Sequence, residues 1–464
     1  MNLSVLNKNL DWVLGLAVLF TAFVYSFYFA QERVLNTDNS SFLFNTINGG
    51  KIWIAEKRYS SAIPIFPAFI ASKLSVSLSI VINIFSVSYF FLYLIISITI
   101  AFVLKNLQGL LILSLSLFLG VNYSFYHPVT ETHQAIAYSV LFFGCLNSNL
   151  QTIAKYFITV LSFFLALFAH PTAVFMLGFA LLWHLLPRGL NKKNMVYWIT
   201  LIALGLFTVL RSKLNQNNYD AVQYENLYSS INNIGNFFKW NSVKYIEQTA
   251  WLYVWPLFFW SIALFVFFAK NNILKFLTLG LLPLLFIFIA LTTFSGGDSQ
   301  MMMEKSFMPA FAMVAMSLNE LMKEKRTKSI VVGLSLVYFV FCFIGINQTG
   351  HKVFRKRLNA IDAFITKQNN NDGKYLANIE ESPDVWKNYW WATSADVLMR
   401  AVSKHNKQVT LYLYSPDENI EHAQKSESFM YVNWWPNWEI HVLNKTYFNL
   451  PEIPYKKINL YSYE

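Results

Sequence analysis

Apolar residues run in long blocks along this chain, separated by short polar breaks. A helix needs about 20 apolar residues to cross a hydrocarbon core of about 30 Å. Blocks approaching that length occupy 12–30, 76–104, 110–122, 134–146, 153–169, 172–186, 196–210, 251–269, 273–292, 307–321 and 330–346. Two of them, 110–122 and 134–146, are short and need flanking residues to span. The first is too long for a signal-peptide core and no small-residue cleavage site follows, so it reads as a retained span. The pattern predicts an all-α polytopic membrane bundle of about 11 transmembrane helices.

Loop charges set an orientation. With the amino terminus inside, Lys8, Lys105, Lys155, Arg188, Lys192, Lys193, Lys270, Lys275, Lys323, Lys325, Arg326 and Lys328 all fall in inner loops, as the positive-inside rule requires. The topology is then N-in and C-out. Residues 1–346 form the transmembrane domain, with a long first outer loop (31–75) and a second (211–250). Residues 347–464 are too long and polar for a loop and predict a small extracytoplasmic α/β domain. Helix-like stretches at 360–367 and 394–405 and a strand-like run at Val409–Tyr414 support this. Its aromatic cluster, Trp386, Tyr389, Trp390, Trp391, Trp434, Trp435 and Trp438, is expected on the membrane interface, where Trp is favoured.

Composition agrees with this pattern. Of 464 residues, 55% are hydrophobic and 13% charged, against about 25% charged in soluble proteins. The net charge of +11 sits mostly in short loops, which argues against a nucleic-acid partner. Cys145 and Cys342 lie inside apolar runs and read as small core residues. The abundance of Asn, Ile, Lys and Phe is compatible with a bacterial inner membrane, with the working face extracytoplasmic.

Polar chemistry gathers in four outer segments. The first holds Glu32, Asp38 and the basic run Lys57-Arg58-Tyr59. A carboxylate just beyond a span can take a proton from an acceptor hydroxyl, and arginine can hold a phosphate with paired hydrogen bonds. Asp38 equally reads as a helix N-cap, since Asn39, Ser40 and an apolar stretch follow. The second is His127-Pro128-Val129-Thr130-Glu131-Thr132-His133. Its acid and two imidazoles can ligate a divalent metal ion, although no standard zinc spacing is present, and the same residues read as an interfacial turn. The third is His170-Pro171, a break between two spans that is either a site or a packing histidine. The fourth runs from Gly296 to Lys305, whose ammonium can meet a lipid phosphate or snorkel to the interface.

In order, these motifs resemble those of the GT-C superfamily of membrane glycosyltransferases, which includes the protein O-mannosyltransferases and the lipid A aminoarabinose transferases. Asp38, Phe44, Gly49-Gly50 and Arg58-Tyr59 through Pro64 to Pro67 match the family's first outer loop. Pro128-Val129-Thr130-Glu131, His170-Pro171-Thr172 and Lys305-Ser306-Phe307-Met308-Pro309 echo later entries into spans. The sequence departs from the family in having no paired acid beside Asp38, and in carrying His170 and Lys305 where arginines are common. The resemblance implies transfer of a sugar from a polyprenyl-phosphate-linked donor to a glycan, lipid or protein acceptor on the outer face. Asp38 would be the base. Arg58 and Lys305 would hold the phosphate, Glu131 and His127 would support the acceptor or an ion, and the tail would help select the acceptor. A transporter or lipid flippase, which would place ionisable groups at mid-membrane in inverted repeats, and a non-catalytic scaffold with a partner-binding tail are the other readings.

Overall fold

The computed structural model describes residues 3–150, 152–186, 195–214, 219–297, 299–368, 372–418 and 420–463; Arg188, Lys192, Lys193 and Asp298 lie outside them. The apolar runs become helices: α1 (Leu3–Tyr28), short α2 (Ala30–Val34), α3 (Thr37–Gly49), α4 (Ala62–Lys73), α5 (Leu78–Ile98), α6 (Gln108–Phe118), α7 (Glu131–Asn147), α8 (Ile153–Ala169), α9 (Ala173–Leu185), α10 (Met195–Leu214), α11 (Tyr219–Asn232), α12 (Asn241–Thr249), α13 (Val254–Ala269), α14 (Ile273–Thr293), α15 (Gln300–Leu321), α16 (Lys325–Gly345) and α17 (His351–Lys367). Local chemistry sets several boundaries. The side chains of Thr152 and Asn272 accept backbone N–H groups of Lys155 and Lys275, capping α8 and α14. Helix α3 stops at Gly50, whose φ of 61° is left-handed.

Five helical segments are long and apolar enough to cross a membrane: Leu10–Tyr28, Leu78–Val103, Asn241–Ala269, Ile273–Thr293 and Lys325–Lys367. Four more apolar helices are shorter, namely Gln108–Phe118, Ile153–Ala169, Ala173–Leu185 and Tyr197–Leu210. The block expected at 110–122 is not one full-length helix. At about 1.5 Å per residue, the 11 residues of α6 rise about half of a hydrocarbon core. The chain leaves the helix at Leu119 and turns, which frees 120–130 to build a polar loop. Phe20, Phe27, Phe102, Phe157, Ile202, Leu281 and Phe341 are exposed on the outward faces, an apolar surface suited to lipid.

Helix α1 packs on α5 and α6, and α15 runs through the centre against α6, α9, α13 and α14. The α1–α6 contact depends on a small residue. A Cβ at Gly15 would lie 2.6 Å from the Leu110 backbone, and Ser114 Oγ donates to the Gly15 carbonyl at 2.8 Å. The two long segments expected on the outside, 31–75 and 211–250, are not plain loops. The first contains α2, α3 and α4, and the second contains α11 and α12.

No break separates the last apolar helix from the tail. A π turn at Ile346–Gly350 joins α16 to α17, so the boundary expected at 346 falls inside one long helix. Beyond it come β1 (Gly373–Asn378), α18 (Asp384–Lys387), α19 (Thr393–Arg400), β2 (Val409–Tyr414), β3 (Phe429–Met430), β4 (Trp438–Glu439) and β5 (Lys456–Lys457). The main sheet has order β2-β1-β5 with both pairings parallel, and β3 pairs antiparallel with β4. Parallel neighbours need a crossover, and α18 and α19 supply it between β1 and β2.

Part of the tail's aromatic cluster is engaged with the protein itself. Trp386 is fully buried beside Phe364, Trp435 meets Phe42 and Trp53 edge-on, and Trp438 Nε1 donates to Asn45 Oδ1 at 3.0 Å. A buried indole N–H gains from an acceptor; Asn45 of α3 provides one for Trp438, while Nε1 of Trp386 and Trp435 has none. A salt bridge and a hydrogen bond add to this seam. Arg355 donates to Glu32 at 2.9 Å, and Arg400 reaches Gln31 at 3.1 Å.

Candidate functional site

Asp38 lies in the first turn of α3 but does not cap it. The N-cap position belongs to Asn36, and no side-chain cap bond is made. Asn39, one residue on, clamps the helix to the loop after α6: its Nδ2 donates to the Tyr126 carbonyl at 3.3 Å and its Oδ1 accepts Val129 N–H at 3.3 Å. This clamp sets Asp38 beside His127, with Nε2 to Oδ2 at 3.7 Å. The tail contributes Trp391, whose Nε1 donates to Asp38 Oδ1 at 3.0 Å. The Asp38 side chain keeps 39% of its surface open, so the carboxylate is held by named partners yet still reachable.

His127 is buried and its Nδ1 lies 2.6 Å from Thr130 Oγ1, which leaves Nε2 directed at Asp38. Burial and then the Lys305 charge push this imidazole down to about 4, so it is neutral near pH 7. Burial alone would raise the Asp38 carboxyl. Contact with His127, the charge of Lys305 and the Trp391 N–H instead hold it below the ordinary value.

Arg58 and Glu131 form the second half of the site. Arg58 Nη1 meets Glu131 Oε2 at 3.1 Å with both side chains about nine-tenths buried. Glu131 opens α7, and Arg58 precedes the tight turn Tyr59–Ser61. Lys305 lies within electrostatic reach of Asp38, Glu131 and Arg58. Its neighbour Glu304 does a different task. The Glu304 carboxylate accepts the backbone N–H groups of Asn122 (2.9 Å), Tyr123 (3.2 Å) and Ser124 (2.8 Å), and Gln300 Nε2 at 2.8 Å. Consecutive residues of one helix point about 100° apart, so Glu304 fixes the loop that carries His127 while Lys305 serves the crevice.

The expected site residues therefore divide. Asp38, Arg58, His127, Glu131 and Lys305 come together from separate parts of the chain. Lys57 and Tyr59 instead face outward, Tyr59 resting its ring edge-on against Phe168. His170 closes the turn between α8 and α9, its Nδ1 2.8 Å from Thr172 Oγ1. Glu32 ties α2 to α17 and is not a second acid beside Asp38. The metal ligands expected at His127, Glu131 and His133 do not fit an ion. Glu131 is turned to Arg58, His127 Nδ1 to Thr130, and His133 shares its pocket with the Arg33 guanidinium, which repels a cation. Among the described residues no group of three His, Cys, Asp or Glu is placed to hold a metal.

Three residues carry roles that the sequence reading did not assign to them. Trp391 and Glu304 are described above. Arg33 is buried near His127, donating to Ser86 Oγ at 2.9 Å and to the Phe125 carbonyl, and lying over the Phe90 and Phe125 rings. A charged residue directly after the first span was the one available signal.

The cluster thus offers a partly open carboxylate held below its ordinary value, a neutral imidazole aimed at it, the paired Arg58 guanidinium, and Lys305 within electrostatic reach. That set can accept a proton from a hydroxyl and stabilise an anionic leaving group. A cavity of about 420 Å³ elsewhere, lined by Asn106, Asn147, Lys155, Asn319 and Lys323, lies at the other end of the bundle. Its lysines are already engaged, Lys155 with the Ser148 carbonyl and Lys323 with Glu320. No family model matches the chain, and no curated protein or solved structure matches it.

Proposed function

We propose that this chain transfers a sugar from a polyprenyl-phosphate-linked donor to an acceptor hydroxyl, on the membrane side that carries the tail domain. The observation that supports it is the pairing of Asp38 with His127 and of Arg58 with Glu131, with the Lys305 charge felt by Asp38, Glu131 and Arg58. The order of these residues along the chain resembles that of the GT-C glycosyltransferases. The same reading puts the protein in a bacterial inner membrane, with about eleven passes and the site outside.

The donor's hydrocarbon tail lies among the exposed apolar helix faces, and its phosphate sits at the interface. Asp38 takes the proton of the acceptor hydroxyl as that oxygen attacks the anomeric carbon. The bond from this carbon to the phosphate oxygen breaks, its electron pair leaves with polyprenyl phosphate, and configuration at the carbon inverts. Arg58 and Lys305 stabilise the charge that develops on the phosphate. A guanidinium has five N–H donors, so Arg58 can keep Glu131 and still reach the donor. His127, uncharged, lends polarity without competing with Asp38 for the proton.

The test is transfer by purified protein in proteoliposomes, with a radiolabelled polyprenyl-phosphate sugar and a crude acceptor fraction. Asp38→Asn is expected to lower the rate by about 10²–10⁴-fold with unchanged folded yield. Wild-type rates in this variant would overturn the reading.

A further inference from the structure

Tyr389 and Trp434 hold positive φ angles of 61° and 60°, a region that strains residues other than glycine. Both touch the same ring. Trp391 stacks on Trp434 with centroids 4.7 Å apart and planes 14° apart, and meets Tyr389 edge-on at 5.8 Å. Trp390 closes the group, edge-on to Trp434 at 5.6 Å. The turn carrying Trp434 is pinned from behind. Asn433 Nδ2 donates to the Leu413 carbonyl at 2.8 Å, and Val432 N–H donates to Asn437 Oδ1 at 3.0 Å. Yet Trp434 itself is 72% exposed. Core packing does not explain a strained backbone that holds a large apolar ring at the surface. Its location does: the ring beneath it is hydrogen-bonded to Asp38.

We propose that Trp434, backed by Trp391, is a stacking platform for a pyranose ring of the acceptor, which makes the acceptor a saccharide. One face of a pyranose presents C–H groups with slight positive charge, and the face of an indole carries the negative lobe of its quadrupole. With one face on Trp391, Trp434 turns the other outward. A sugar seated there lies one stacked ring away from Trp391, the ring that bonds Asp38. The catalytic part of this claim rests on the sugar-transfer reading above; the binding part does not.

The experiment uses the full chain in nanodiscs. Mannotriose, cellotriose and chitotriose are the probes, followed by saturation-transfer NMR and by tryptophan fluorescence, with Trp251→Phe as an exposed-tryptophan control. At least one trisaccharide is expected to bind wild type and Asp38→Asn alike. Trp434→Ala should weaken it about 10-fold or more, and Trp434→Phe should retain most of the affinity. In transfer assays Trp434→Ala should raise the acceptor KM and leave kcat nearly unchanged. Trisaccharide binding that survives Trp434→Ala overturns the platform. So does quenching of Trp434 by nitroxide-labelled lipid headgroups with no trisaccharide bound, which would make it a membrane anchor, and so does binding of short peptides alone. Saccharide binding that requires Trp434, in a protein that transfers nothing, supports the platform and sinks the transfer reading instead.

Discussion

Arg58 and Glu131, 73 residues apart in sequence, meet at 3.1 Å with little solvent around either. Removing one member of such a pair strands the other's charge in a low-dielectric site, which costs about 3–5 kcal/mol, whereas replacing both with apolar groups of similar volume is far milder. Arg58→Ala and Glu131→Ala should each lower the unfolding midpoint in detergent. Arg58→Met combined with Glu131→Leu should recover most of that loss while transfer stays abolished. Single variants as stable as wild type would mean that the pair is solvated and adds nothing to the crevice.

Glu304 receives three successive backbone N–H groups, each bond worth about 1 kcal/mol and more where the acceptor is charged, while burial raises its carboxyl above the ordinary value. Glu304→Gln keeps the shape and removes the charge. The expected result is faster amide exchange across 119–130, read by mass spectrometry, with slower transfer because His127 loses its fixed place. Unchanged exchange would show that the loop is held by other contacts.

Close approach of α1 and α6 leaves no room for a side chain at residue 15, where a Cβ would sit 2.6 Å from backbone atoms. Backbones pack this tightly in membranes only where small residues permit it. Gly15→Val should reduce the yield of monodisperse protein sharply. Gly205→Ala, at a glycine with open space around it, should behave as wild type. Equal yields from both would place α1 further from α6 than described here.

What the sequence revealed and what it concealed follow from the range of the interactions. The alternation in Val409–Tyr414 is local, and β2 forms there. Apolar runs are local too, and they became helices. The crevice was legible only as separate polar segments, because its members are joined by tertiary contacts. Trp391 reaches Asp38 across 353 residues, and nothing in a run of aromatics distinguishes the ring that bonds a carboxylate from one that packs in a core. Asp38 resembled an N-cap because Asn39 and Ser40 follow it, but the cap position fell two residues earlier at Asn36. Glu304-Lys305 looked like an ordinary charged pair before a span. Their separate tasks depend on a loop 180 residues upstream.

The neutral state of His127 gives the last prediction, with opposite consequences for rate and for stability. Its folded pKa of about 4 lies below the ordinary 6.5, so between those values the unfolded chain binds a proton that the folded chain refuses. Stability therefore rises with pH across that window and is lost as pH falls from 6.5 toward 4, by about 3 kcal/mol in total. His127→Asn cannot take up that proton and should flatten this part of the stability profile. Transfer should behave differently. With Asp38 held ionised below the usual carboxylate range, kcat/KM should stay level from pH 8 to 5, showing no histidine inflection near 6.5. Such an inflection in wild type that disappears in His127→Asn would mean the imidazole is hydrated and charged when the donor binds, and that Asp38 shares its proton with it.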